Sequence, residues 1–169
     1  MSISVDLVIE QGVTCPIGEE DVRDVCELVL REEAIERPCF VSVTVVEDGR
    51  IREINREWRG QDRSTDVVSL ECERPDDPEL AEGEPCELGD IVLAPDYIER
   101  QAASFGSTPA DEFRLLLVHG LLHLLGYDHL EDEEAEEMER REDELVALLH
   151  TEGTVRRVKL TRHTGDDAP

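Results

Sequence analysis

The segment from His119 to His129 constrains the fold more than any other part of the chain. It reads HGLLHLLGYDH, and its first two histidines stand four residues apart. Because positions i and i+4 lie on one face of an α-helix, two imidazoles there can share a ligand. Gly126 then ends the helix, since glycine readily adopts the left-handed conformation that turns the chain back. The segment therefore predicts a helix with a ligand-binding site at its end.

A third histidine follows the predicted helix end closely enough to reach the same point from the side. Three neutral imidazoles with a fourth position open are typical of a catalytic zinc site. We predict one Zn2+ ion per chain, bound by His119, His123 and His129. The two remaining histidines, His150 and His163, lie outside this spacing and are not assigned to the site.

The spacing H-x3-H-x2-G-x2-H is also that of metzincin peptidases, which place a glutamate after the first histidine as general base. In this chain the position is Gly120, which has no side chain. A peptidase of that design would lack its proton acceptor, so the metal would have to do more of the water activation itself. A zinc metallopeptidase is therefore the alternative prediction, favoured by the spacing and opposed by the glycine.

Short strands rich in valine and isoleucine occur with amphipathic helices between and after them. Apolar periodicity predicts strands at 3–9, 40–46, 66–72 and 88–94, and helices at 18–35, 51–60, 95–105, 108–125 and 131–149. Asp48-Gly49 predicts a turn, and Ile51, Ile54 and Trp58 are predicted to line one face of the second helix. These elements predict an α+β fold, a small mixed β-sheet packed with helices. We expect one domain over residues 1–150 and a flexible tail over 151–169.

The formal net charge of −26 argues, by itself, against nucleic-acid binding, because a negative surface repels phosphate. The charge is unevenly distributed, however. Acidic residues are concentrated in 19–36, 75–87 and 131–144. The arginines concentrate elsewhere: Arg50, Arg52, Arg56, Arg59 and Arg63.

Four of these arginines recur at intervals of four, three and four residues, and while a helix persists they share one stripe: Arg52, Arg56, Arg59 and Arg63. Such a stripe can follow a phosphate backbone, which makes these residues candidates for RNA binding. The alternative is that they form weak surface pairs with Glu53 and Glu57. The spacing alone leaves both interpretations open.

The rest of the sequence predicts a cytoplasmic protein. No apolar run approaches the roughly 20 residues of a membrane span, and the N-terminus has neither a basic region nor a cleavage site typical of a signal peptide. The five cysteines are scattered without a C-x-x-C pair, which predicts inert thiols rather than a metal site or disulfides.

Several blocks of the chain together resemble the YbeY family of metal-dependent endoribonucleases. The segment His119–His129 resembles the family signature HGxLHLxGYDH, and further similar blocks follow the family's order at 54–59, 64–69, 88–91 and 101–102. The chain departs from the family at Leu70-Glu71, where Phe-Pro is usual, and this change is expected to affect packing or groove shape.

The resemblance implies a zincin-like fold with the metal site at the end of a helix, and cleavage of single-stranded RNA. It implies a role in ribosomal RNA maturation, at the 3′ end of the small-subunit RNA, and in ribosome quality control. It also implies a catalytic role for Arg59. The expected partners are single-stranded RNA, ribosomal RNA or ribosomal subunits, with neither DNA nor a membrane. A non-catalytic ribosome-assembly factor with a structural metal is a further alternative.

Overall fold

The computed structural model describes residues 3–127 and 131–151, the side chains of residues 150 and 151 excepted. These residues form four strands and five helices, and the predicted α+β fold is confirmed. The elements are β1 (Ile3–Ile9), α1 (Glu19–Glu32), β2 (Cys39–Val45), α2 (Asp48–Arg59), β3 (Val67–Glu71), β4 (Cys86–Leu93), α3 (Pro95–Ser104), α4 (Pro109–Leu124) and α5 (Asp132–Thr151). The predicted tail lies outside the described residues from residue 152 onward.

The four strands form one mixed sheet in the order β1-β2-β4-β3. The strands β1, β2 and β4 run parallel, whereas β3 pairs antiparallel with β4 and forms an edge. Since side chains alternate between the faces of a strand, Val67 and Val68 belong to two different clusters. Val67 joins the large core with α1, α4 and α5, and Val68 joins a smaller core with α2. The sheet therefore separates α2 from α4.

Helix α4 is the central helix of the large core. Its N-terminus is capped by Thr108, whose hydroxyl accepts a hydrogen bond from the Asp111 amide at 3.1 Å. Pro109 occupies the first helical position, where a missing amide hydrogen costs nothing. The helix is buried almost all round because it packs against β3 and β4 and against α1, α3 and α5. Such a helix is a rigid support for the side chains that it carries.

Helix α2 starts earlier than the sequence predicts and ends at Gly60 as predicted. It begins at Asp48, so the predicted Asp48-Gly49 turn is the first turn of the helix, which follows the extended residue Glu47. Ile51 and Ile54 are buried against the sheet as expected. Trp58 lies at i+4 from Ile54, yet the small core does not include it and its exposed fraction is 65%.

The cysteines carry no cross-links. All five are free thiols. Burial raises the pKa of Cys26 and of Cys86 to about 12, so both stay protonated at neutral pH. None of the helices in the described ranges combines the length and apolar character that a membrane span requires.

Candidate metal centre

The two histidines of α4 face the same point, as their spacing predicts. The Nε2 atoms of His119 and His123 lie 3.1 Å apart, and their rings meet edge to face with centroids 4.6 Å apart. His119 is buried and His123 is half-buried. The pair therefore lies where the central helix leaves the core.

The ring of His123 is oriented by the chain just beyond α4. Its Nδ1 lies 3.1 Å from the carbonyl oxygen of Tyr127. A carbonyl can only accept, so Nδ1 carries the hydrogen and Nε2 presents its lone pair. Burial and a hydrogen bond to Glu33, the residue after α1, raise the pKa of Tyr127 to about 12, so its phenol stays protonated. The carbonyl that orients His123 is thereby held in place.

The ring of His119 is oriented by Glu142 of α5. The His119 Nδ1 and the Glu142 Oε1 form a short hydrogen bond between two side chains that are almost fully buried. The carboxylate accepts from Nδ1–H, which leaves the Nε2 lone pair for a ligand. Carboxylates in this position fix the ring of a metal-binding histidine and raise its basicity.

Sequence reasoning missed Glu142 because it considered residues 131–144 only as one of the acidic stretches of the chain. A signal was nevertheless present in the helical period. The buried residues of α5 recur at helical spacing, and Glu142 falls within that apolar stripe among Met138, Leu145, Val146 and Leu149. A carboxylate on a buried face needs a partner, and here the partner is His119.

The donor set fits a metal ion. With hydrogen on both Nδ1 atoms, the two Nε2 lone pairs are directed at one point, and a shared cation satisfies both. Two imidazoles on one tetrahedral zinc, each with a Zn–N distance of roughly 2.0–2.1 Å, lie about 3.3 Å apart. The observed separation of 3.1 Å is close to that value. No set of three metal-binding side chains occurs within residues 3–127 and 131–149, and the third predicted ligand, His129, lies outside the described residues.

The glycine between the histidines is packed tightly against the sheet. A Cβ at Gly120 would lie 2.9 Å from Cγ2 of Ile91 and 3.2 Å from the Ser69 hydroxyl oxygen. A glutamate at this position would collide with the sheet before it could reach the histidines. Helix–sheet packing therefore disfavours a side chain at the position where the peptidase alternative needs its general base.

An arginine that the sequence did not single out lies at the end of α4. Gly126 has a φ of +109°, and a Cβ there would lie 3.1 Å from a terminal nitrogen of Arg74. The guanidinium is held by Glu71, whose carboxylate accepts from Arg74 Nε at 2.5 Å. Glu71 belongs to the Leu70-Glu71 departure from the family pattern, so that departure supplies the partner of an arginine at the end of α4.

The arginine stripe lies across the sheet from the histidines. Three of its members belong to α2 and are exposed: Arg52, Arg56 and Arg59. Gly60 ends the helix in the left-handed conformation, so Arg63 lies beyond it and donates to Gln61 at 3.0 Å. Both α2 and α4 contact the edge strand β3.

The partner of Arg52 is neither of the glutamates considered from the sequence. Its Nε donates to Asp62 at 2.8 Å, and this hydrogen bond lowers the pKa of Asp62, with a smaller contribution from Arg56. Both side chains are exposed, so the pair contributes little to stability.

The segment between α2 and β3 is anchored from both sides of the sheet. The Asn55 side chain donates to the Arg63 carbonyl at 2.9 Å. Buried Asp66 accepts from Gln101 at 2.8 Å, and the same amide donates to buried Glu112 at 2.9 Å. Asp90, a second acid of the family blocks, is exposed on β4. The end of α2 is thus tied to α3 and α4.

A mixed sheet whose buried helix directs two oriented imidazoles at one point is typical of zincin-like proteins, the class predicted from the sequence. Comparison with known proteins makes the assignment specific. The family model described as Endoribonuclease YbeY matches residues 11–150. The chain belongs to the YbeY family of endoribonucleases.

Individual relatives agree with this assignment. The Endoribonuclease YbeY of Bacillus velezensis is 39% identical over 149 residues, which cover 86% of this chain and 95% of the relative. That of Bacillus subtilis is 37% identical over 150 residues, with the same coverages. Among solved structures, the solution structure of a Thermotoga maritima protein matches with a TM-score of 0.60 and 25% identity, over 98% of this chain and 97% of the other.

Membership confirms the family and the endoribonuclease role that the sequence predicted. Neither alternative, the zinc peptidase or the non-catalytic assembly factor, is favoured by these relatives.

Proposed function

We propose that this chain is a zinc-dependent endoribonuclease that cuts single-stranded RNA during ribosomal RNA maturation. The observation that supports the metal centre is the orientation of the two α4 histidines by the Tyr127 carbonyl and the Glu142 carboxylate. His119, His123 and His129 bind one zinc ion in this proposal. We further propose that the protein acts in the cytoplasm. Its partners in this proposal are ribosomal RNA or ribosomal subunits, and it acts at the 3′ end of the small-subunit RNA.

Bound zinc supplies a Lewis acid that lowers the pKa of water toward neutrality. The chain supplies the arrangement around it. The imidazoles of His119 and His123 present their Nε2 atoms to one point, and Glu142 keeps one ring in its orientation by accepting from Nδ1–H. Gly120 packs closely against the sheet, so this position provides no carboxylate that could accept a proton from water.

Positive charge beside the scissile phosphate is assigned to Arg59. A guanidinium donates two parallel hydrogen bonds to phosphoryl oxygens and stabilises the charge that develops on them in the transition state. Arg59 and the histidines lie on helices that contact opposite faces of the same edge strand, β3. An RNA strand that passes along this edge can contact both, and Arg52, Arg56 and Arg63 can follow its backbone.

The local charge makes this edge the favoured RNA surface on an acidic protein. Residues 50–63 contain five arginines and three acidic residues, in a chain with a net charge of −26. Phosphate is repelled by most of the molecule and attracted here. The uneven distribution therefore directs RNA to the edge of the sheet.

The decisive experiment incubates zinc-loaded protein with labelled single-stranded RNA and, in parallel, with casein. We expect internal cleavage of the RNA and no proteolysis. Metal content, measured by mass spectrometry on protein purified without chelators, should be one zinc per chain. Proteolysis without RNA cleavage would contradict the proposal and support the peptidase alternative.

A variant separates a catalytic metal from a structural one. His123→Ala should remain folded, because the core of α1, α4 and α5 is apolar and does not include this side chain, and it should lose RNA cleavage. Unfolding of this variant would favour the assembly-factor alternative. Product ends then define the nucleophile: a 2′,3′-cyclic phosphate indicates the ribose hydroxyl, and a 5′-phosphate with a 3′-hydroxyl indicates water.

A further inference from the structure

Trp58 is the most exposed large apolar side chain in the described part of the chain, at 65%. Its position is unusual because it continues the buried face of α2. Ile51, Ile54 and Asn55 are buried one and two turns earlier, at i−7, i−4 and i−3 from the tryptophan. The apolar stripe therefore runs beyond the small core and ends on an indole in solvent.

One flank of the helix face that carries the indole is cationic, whereas Glu57 lies on the other flank. Arg59 is its neighbour in sequence, and Arg52, Arg56 and Arg59 share the helix at i, i+4 and i+7. This stripe lies beside the apolar face that ends at Trp58, as the helical period of 3.6 residues requires. Exposed aromatic and cationic side chains thus occur together on the last turns of α2.

The segment that carries these groups is held in place. Asn55 donates to the Arg63 carbonyl, and the Ser64 hydroxyl donates to the Asp48 carbonyl at 3.0 Å, which joins the segment after α2 to both ends of the helix. Side chains on such an anchored element lose less entropy on binding than side chains on a free loop. The surface is prepared for a ligand before the ligand arrives.

We infer that Trp58 stacks on an unpaired base of the RNA while the neighbouring arginines contact its phosphates. This inference rests on the proposed function and adds the part of the substrate that α2 recognises. Bases stack on aromatic side chains with little dependence on sequence, because every base has a π-face. In a duplex that face is covered by the adjacent base pairs. Trp58 therefore supplies a preference for single strands without a preference for sequence.

The arginines distinguish RNA from a protein partner as the ligand of this surface. An apolar side chain alone would suit a hydrophobic protein contact, but single-stranded nucleic acid needs a base-stacking group and a cationic track together. Phe40 provides an internal comparison. It is also exposed, at 46%, but it lies on β2 in register with Ser4 and Glu87, where no arginine adjoins it in the sheet.

Trp58 is the single tryptophan of the chain, so its fluorescence reports directly on this surface. The ligand is an oligouridylate of about ten nucleotides, within the site sizes of single-strand binders. An abasic oligomer of the same length and charge serves as the control. Each oligomer is mixed with zinc-loaded protein in a stopped-flow instrument, so that quenching of Trp58 fluorescence is measured before cleavage products accumulate. We expect strong quenching by the oligouridylate and little by the abasic oligomer.

Three variants complete the test, with affinity measured by anisotropy of labelled RNA. Trp58→Ala should weaken binding of the oligouridylate on the order of tenfold and leave binding of the abasic oligomer unchanged. Trp58→Phe should restore most of the loss because a phenyl ring also stacks. Phe40→Ala, the matched control, should bind like the wild type. Circular dichroism melting confirms that each variant is folded.

The outcomes separate this inference from the proposed function. If the wild type cleaves single-stranded RNA but Trp58→Ala binds and cleaves equally well, the stacking role is wrong and the endoribonuclease stands. If Trp58→Ala loses affinity only for ribosomal subunits and not for free RNA, the surface binds protein and the inference is overturned. If the wild type cleaves no RNA, the proposed function itself fails.

Discussion

A methyl group added at Gly120 would lie 2.9 Å from a buried isoleucine methyl and 3.2 Å from the Ser69 hydroxyl oxygen. The isoleucine cannot retreat freely, because Ile91 is fully buried in the core. We expect Gly120→Ala to lower the free energy of unfolding by roughly 1–3 kcal/mol, the usual cost of overpacking. Urea unfolding followed by circular dichroism measures it.

Gly49→Ala is the matched control, because Gly49 is also helical and the nearest atom to its added Cβ is 3.8 Å away. That variant should be neutral or more stable by up to about 1 kcal/mol, since alanine favours helix. Equal stability of Gly120→Ala and the wild type would show that the contact between α4 and the sheet is looser than the structure indicates.

Glu142 is the residue through which α5 acts on the metal centre. Glu142→Gln keeps the shape of the side chain but weakens the acceptor that faces His119 Nδ1. We expect the variant to fold. Its zinc affinity should fall roughly 10- to 100-fold, the usual cost of losing a carboxylate that orients a metal-binding histidine. At limiting zinc it should therefore cleave RNA more slowly than the wild type. Competition with a fluorescent zinc chelator measures the affinity.

Glu136→Gln provides the control on the same helix. Glu136 is exposed, and its replacement by glutamine removes the same charge as Glu142→Gln. If both variants lose zinc affinity equally, the effect is one of general charge rather than of the hydrogen bond to His119. Excess zinc should restore cleavage by Glu142→Gln, because the nitrogen ligands themselves remain.

At the scale of elements, α4 is the helix on which the site depends. In the first turn of this helix, the backbone amide of Asp111 donates a hydrogen bond to the Thr108 hydroxyl at 3.1 Å. Thr108→Ala removes this cap and should reduce the free energy of unfolding by about 1 kcal/mol. Denaturant unfolding checks the value, and Thr108→Ser, which keeps the hydroxyl, should lose little. An equal loss in both variants would mean that the threonine methyl, not the cap, stabilises the helix.

The elements were predictable to the extent that local signals agreed with packing. Helix α4 has a cap, a proline at its first position and a glycine after its end, and its predicted extent matches the structure closely. Helix α2 has a weaker start, because Asp48-Gly49 is equally suited to a turn. Packing of Ile51 and Ile54 against the sheet decides that the helix begins there, and this is information that a local pattern does not contain.

At the scale of the whole molecule, charge distribution sets the conditions under which RNA binds. Binding to residues 50–63 should weaken as salt rises, with a slope of about −0.7 in log–log form for each phosphate contacted on a single strand. Arg59→Gln should make this slope shallower by about 0.7 if the guanidinium contacts one phosphate of a single strand. Fluorescence anisotropy across a range of salt concentrations measures both slopes.

Arg23→Gln is the control for that experiment, because Arg23 is an exposed arginine of α1 that pairs with Glu19, outside residues 50–63. Its slope should equal that of the wild type. A wild-type affinity that does not change with salt would show that phosphate contacts do not carry RNA binding.

The sequence by itself determined the α+β class, the helix with histidines at i and i+4, and the family. These properties follow from local periodicity and from motifs that are contiguous in the chain. Tertiary structure decided how the histidines are used. Glu142 is remote in sequence from His119, and only the packing of α5 against α4 brings its carboxylate to Nδ1.

The remaining features depend on where elements end relative to one another. Gly120 appeared as a missing base in the sequence, and the structure shows that the sheet leaves little room for a side chain there. Trp58 has the periodicity of a core residue, but the small core ends before it and leaves the indole exposed. Helical spacing predicts which residues share one face of a helix. The extent of the sheet that packs against that face decides how many of those residues are buried.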